Sequence, residues 1–137
     1  MADRTLAQRR AADAYEKIEL VSKRDAEFQK RYRSYVAGLP AMIVMSGLGQ
    51  ALASLLSRAG TGGPDKSAHR LLYDHVAKWL GGIQEEAPYR QVISGETKLL
   101  IDEINKRDQA TYLHAQAEAM AYLEWLKKFA QAFLAGE

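Results

Sequence analysis

Apolar residues recur along the chain at steps of three and four, the spacing of helices that bury one side. Ala7, Ala11, Ala14, Ile18, Val21, Phe28, Tyr32, Tyr35 and Leu39 keep this rhythm, and only Asp25 interrupts it. The pattern predicts two helices, about 4–24 and 26–37, meeting at Asp25, or one helix bent there. Gly38 is a natural helix stop, and Pro40 disfavours helical geometry at Leu39. From Val36 to Ser57 there are 22 residues without a charge. Pro40 cuts that run, and Ser46, Gly47, Gly49, Gln50 and Ser54 lie inside it, so it reads as the buried central helix of a bundle and not as a membrane span.

The segment Gly60-Thr-Gly-Gly-Pro-Asp-Lys66 is a loop by composition. Ser67 can cap a helix over about 68–80 with Leu72, Val76, Trp79 and Leu80 on its apolar face, ended by Gly81 and Gly82. Ile83 to Gly95 reads as irregular, and a short helix over about 96–106 carries Leu100, Ile101 and Ile104. The last helix, about 109–134, presents Tyr112, Ala115, Ala119, Tyr122, Leu126, Phe129 and Phe133 in unbroken alternation of three and four. Composition agrees: 22 Ala and 16 Leu stand against 15 Val, Ile and Thr combined. That balance favours helix over strand. The expectation is an all-α, single-domain bundle of five to six helices spanning residues 1–137.

Chemistry is sparse. The absence of cysteine removes disulfides, thiolate metal sites and a cysteine nucleophile, and it suits a reducing cytoplasm. Met1 to Ala14 is polar and charged where a signal peptide needs an apolar core. Loop 60–67 lacks the glycine a phosphate-binding loop needs before its Lys; Asp65 stands there, after a helix instead of a strand. His69, His75 and His114 form no metal-ligand spacing, and His114 with Glu118 one turn later supplies only two ligands. Adjacent acids such as Glu85–Glu86 and Asp102–Glu103 diverge on a helix and make no acid–base pair. No enzyme, metal or cofactor is expected.

Charge distribution is more telling than the net of +2. Residues 1–35 hold nine of the 19 Lys and Arg against six acids. Arg10, Lys17, Arg24 and Arg31 are seven apart, so they line one flank of the first helical segment beside the apolar stripe, with Lys30 and Arg33 at its far end. A cationic row on a rod suits a phosphate backbone, because each contact releases a condensed counterion, and nearby tyrosines can stack on unpaired bases. Against that, Asp13–Lys17, Glu19–Lys23 and Glu27–Arg31 are acid-first pairs four apart, the arrangement by which a solvated helix stabilises itself. Charge alone leaves both readings open, and Tyr32 and Tyr35 lie mostly on the core stripe.

Two stretches carry a family resemblance. One is Arg33-Ser34-Tyr35 with Leu39-Pro40-Ala41-Met42-Ile43, running into Gly47-Leu48-Gly49-Gln50-Ala51-Leu52; the other is Tyr122-Leu123-Glu124-Trp125-Leu126-Lys127-Lys128-Phe129-Ala130. With the chain length and the Arg- and Ala-rich start, they resemble the small subunit of the type III-B CRISPR effector, the fifth-subunit family of the Cmr module. The chain departs from that family at Ser46, where Asn is usual, and near Ser54, where an aromatic is usual; both are packing positions. The resemblance implies a non-catalytic subunit of an RNA-guided RNA-interference complex for antiviral defence. Copies would stack head to tail into a minor filament beside the backbone subunits, with the large polymerase-like subunit at one end and target RNA, paired with guide RNA, between the filaments. The expected partners are therefore those subunits, further copies of itself and the RNA, with no membrane. Arg10, Lys17, Arg24, Lys30, Arg31 and Arg33 become the candidate RNA-backbone contacts. The alternative is a helical adaptor or homo-oligomerising protein that binds only other proteins.

Overall fold

The computed structural model describes residues 3–82, 84–90 and 100–136. Among them are six helices and no strand: α1 (Leu6–Val21), α2 (Ala26–Ser46), α3 (Leu48–Ala59), α4 (Ala68–Gly81), α5 (Leu100–Lys106) and α6 (Gln109–Phe133). Residues 91–99, including the expected start of a helix at 96, lie outside the described segments. No helix is long and apolar enough to cross a membrane among the described residues.

Most helix starts follow from short polar side chains. Thr5 accepts from the Gln8 amide while the Gln8 side chain returns to Thr5, a reciprocal cap. Asp25, the break in the first apolar stripe, accepts from the Phe28 amide at 2.8 Å and starts α2. Ser67 and Asp108 cap α4 and α6 in the same way.

The charge-free run Val36–Ser57 is not one helix, and its break is not at Pro40. Helix α2 continues through Pro40 to Ser46. A proline in a helix interior costs about 3 kcal/mol. Here Leu39 and Ile43, on the inward face around it, are about 1% exposed, and their burial offsets that cost. The chain turns instead at Gly47, whose φ of +89° favours glycine. Gly47 has no side chain to cap α3, so α6 supplies the acceptors: Gln116 Oε1 takes the Leu48 amide at 2.9 Å and the Tyr112 hydroxyl takes the Gly49 amide at 3.0 Å. Nor is the run buried all round, since Val44 and Met45 are 72% and 84% exposed.

A single core joins the helices. Ala14 and Ile18 of α1, Tyr32 and Val36 of α2, Leu48 and Leu52 of α3, Leu72 and Val76 of α4, and Ala119, Tyr122 and Leu126 of α6 are all buried together. Helix α1 lies mainly along α6, which also meets α2 and α4, while α3 packs on α4. At 25 residues, α6 is about 37 Å long and reaches the whole bundle.

Candidate nucleic-acid interface

The row of cations expected from seven-residue spacing does not form. That expectation needs one continuous helix, and the chain turns between Val21 and Ala26. Arg10 and Lys17 stay on α1 and turn toward α6. The Arg10 fork holds Glu118 at 2.6 and 2.8 Å, and the Trp79 indole N–H donates to the same carboxylate at 2.8 Å. Burial alone would raise the Glu118 pKa; the hydrogen bonds from Arg10 and Trp79 outweigh it and hold the carboxyl below the usual range. Lys17 is paired with Asp13, and burial lowers its pKa despite that carboxylate. Asp13 also accepts from the Tyr122 hydroxyl at 2.6 Å, and the Tyr122 ring stacks on Trp79 with centroids 5.0 Å apart. These groups form a polar layer inside the bundle, where a partnered charge is required and a free one is costly.

His75 belongs to a neighbouring buried contact. Its Nδ1 lies 2.6 Å from the Tyr32 hydroxyl, and burial, reinforced by the charges of Lys17 and Lys78, pushes its pKa down to about 3. It is a neutral core imidazole at physiological pH. No group of three metal-ligating side chains occurs among the described residues.

The remaining four cations sit in or after the turn into α2. Arg24 lies over the Phe28 ring, 3.7 Å from its centroid, and donates to the Asp65 carbonyl, tying loop 60–67 to the start of α2. Lys30 and Arg31 are exposed. Arg31 reaches Glu27 only at 4.0 Å, with both side chains more than 60% exposed, a pair that contributes little. Arg33 is half-buried; its guanidinium lies against Gly136, and its Nε is buried without a partner among the described residues.

Lys30, Arg31 and Arg33 share one groove of about 520 Å³ between α2 and the C-terminal end of α6, lined also by Glu27, Ser34, Tyr35 and Gln131. Gln29, outside the lining, ties the chain end to the start of α2. Its amide nitrogen donates to the Ser22 and Arg24 carbonyls, and its oxygen accepts from the Ala135 amide at 2.9 Å, holding the tail beside Arg33. Tyr35 stacks on His69 of α4, with centroids 3.7 Å apart and planes 12° from parallel. Burial and the Arg58 charge lower the His69 pKa, so that ring is neutral at pH 7.

The sequence matches the family described as CRISPR-associated protein (Cas_Cmr5) over residues 6–133. The chain belongs to the Cmr5 family. It is 33% identical over 131 residues to the CRISPR system Cmr subunit Cmr5 of Thermus thermophilus, covering 96% of this chain and 97% of that protein. The crystal structure of a Cmr5 family protein from the same organism superposes with a TM-score of 0.71 at 30% identity, covering 96% of this chain and 99% of that one. The chain is thus a Cmr5-family subunit of the type III-B CRISPR Cmr complex.

Within this Cmr5-family fold, the residues that complete the groove were the hardest to foresee. Gln131 and Gly136 join α2 across a long sequence separation, and no local pattern pairs them with it. Tyr35, placed on the core stripe by its spacing, yields the buried position to Val36 and sits one step off it, half-buried and stacked on His69. That offset turns a side chain toward the rim of a bundle.

Proposed function

We propose that this Cmr5-family chain is a non-catalytic brace of the Cmr complex, stacked head to tail as a minor filament, which contacts the target RNA backbone through the α2 groove. The observation that carries this reading is the concentration of Lys30, Arg31 and Arg33 around one open groove, in which Glu27 is the one carboxylate among the described lining residues. The acids and imidazole of the interior support a structural role, since Glu118, Asp13 and His75 are all engaged in packing contacts. Arg24 holds a loop in place, and Arg10 and Lys17 support the bundle; on this reading their contribution to RNA contact is indirect. Guide pairing reads the target sequence, so the subunit needs only shape and charge.

Salt dependence tests this. Target RNA affinity of the assembled complex should fall with rising salt, and Lys30→Glu with Arg33→Glu should reduce the slope by about one for each phosphate no longer held. A second reading, an adaptor touching only protein, draws on the exposed apolar residues Val44, Met45 and Phe133. Under it, the reversals expel the chain from the complex, or change nothing, and leave the slope per complex intact.

A further inference from the structure

The α2 groove holds features a purely electrostatic backbone contact does not need. Its volume of about 520 Å³ gives an open groove room for a group the size of one nucleotide. Its lining offers cations, Lys30 and Arg33, and the buried Arg33 Nε has no acceptor among the described residues. It also offers an aromatic ring, Tyr35, already backed by the parallel imidazole of His69. The polar side chains Ser34 and Gln131 also line the groove. A cation, a supported aromatic face and hydrogen-bonding groups within one nucleotide's reach are the parts of a single-strand platform: the phosphate takes the charge and the base takes the ring. A duplex would not use the ring, because its bases are stacked on each other and show only their edges, beside the phosphates and hydroxyls, to the outside.

We infer that the groove between α2 and the end of α6 seats one unpaired nucleotide of an RNA strand, its phosphate on Arg33 and Lys30 and its base against Tyr35. This rests on the RNA-contacting reading above and adds that the strand there is locally unpaired. Charge selects an anion, and the neutral, fixed Tyr35–His69 pair selects a flat ring over an inorganic phosphate. Gly136 leaves space for the Arg33 guanidinium: a Cβ there would overlap it, so any larger residue displaces the charge that would grip the phosphate.

The test uses the assembled complex loaded with guide and a target RNA carrying 5-iodouridine at successive positions. After irradiation, the crosslinked peptides are identified by mass spectrometry. The expected result is a crosslink to Tyr35 from a restricted set of positions. Tyr35→Leu should lower its yield at least about fivefold, and Tyr35→Phe should restore it, since stacking needs the ring and not the hydroxyl. Thermal melts of each variant establish that it is folded, and Tyr35→Phe keeps the comparison interpretable if the leucine variant melts early. Crosslinks to this subunit that avoid Tyr35, or a yield indifferent to Tyr35→Leu, overturn the base platform and leave the backbone contact standing. Absence of any RNA crosslink to the subunit overturns the base platform, and the backbone contact is then decided by the salt slope of Lys30→Glu with Arg33→Glu. A protein–protein crosslink from Lys30 to an acidic face of a neighbouring subunit, in place of RNA, overturns both.

Discussion

Replacing Arg10 by Met removes the charge that neutralises Glu118 and keeps most of the aliphatic stem. In the folded protein the Glu118 side chain is only 4% exposed and Arg10 19% exposed. The substitution therefore leaves a buried carboxylate with one remaining donor, the Trp79 indole at 2.8 Å. Stranding one member of a buried pair costs about 3–5 kcal/mol. Since Arg10 sits at the rim, the lower end applies, about 3 kcal/mol at pH 8. Against a domain stability of roughly 5–15 kcal/mol that loss is large, and it lowers Tm by about 10 °C for a chain of this size.

The sign of the pH dependence separates this cause from generic loss of packing. In the native chain Glu118 has a depressed pKa. Its contribution is present above the unfolded carboxyl value and is lost as pH falls through the folded value. Without Arg10 the burial that now opposes ionisation is no longer outweighed, and the folded pKa rises above the unfolded one. The variant then gains stability relative to the native chain as the pH is lowered, because Glu118 can take up a proton. Urea denaturation followed by far-UV circular dichroism at pH 8 and pH 5 measures this, and the His75 titration, common to both proteins, cancels in the difference. The penalty should shrink by at least about 1 kcal/mol between the two pH values. A penalty under about 1 kcal/mol at pH 8, or one that does not change with pH, would refute the buried-pair reasoning.

Other outcomes follow from the same structure. His75, with a folded pKa of about 3, must be charged in the unfolded chain below pH 6.5, so its contribution is complete above that value and lost as pH falls. From pH 7.5 to pH 5 the urea-derived stability should drop by about 2 kcal/mol, and His75→Gln should remove most of that drop. Gly47→Ala should destabilise the chain by about 1–3 kcal/mol through its positive-φ, extended-ψ backbone alone. The new Cβ would also lie 2.9 Å from the Tyr112 hydroxyl that caps α3, and a thermal melt reads the sum. Arg31→Ala should leave Tm within about 1 °C of the parent, because its partner Glu27 is well hydrated with or without it. Gly136→Val should weaken RNA binding by the complex while leaving the melt of the isolated chain nearly unchanged, as it moves the Arg33 guanidinium without entering the core.

The helices were legible because burial has a period. Asp25 announced itself by breaking the apolar stripe, and it is the residue that caps α2. The spacing in the last stripe predicted 109–134 against an observed Gln109–Phe133. Pro40 misled because its local cost was weighed without the tertiary burial of Leu39 and Ile43 that offsets it. The cationic row misled for a related reason: heptad spacing places Arg10, Lys17, Arg24 and Arg31 on one flank only if the helix is continuous, and the same Asp25 that ends the stripe also ends the row. The Arg10–Glu118 pair spans 108 positions, so no window shows it. Its trace in the sequence was a carboxylate between Ala115, Ala119 and Tyr122, on the core side of α6, where a charge must have a partner.

The most direct measurement is a structure of the assembled Cmr complex bound to target RNA. An RNA-facing α2 places Lys30 Nζ and the Arg33 guanidinium within about 3 Å of phosphate oxygens, with Arg10 still on Glu118. A complex in which another protein subunit fills the α2 groove and no phosphate approaches it would contradict that role.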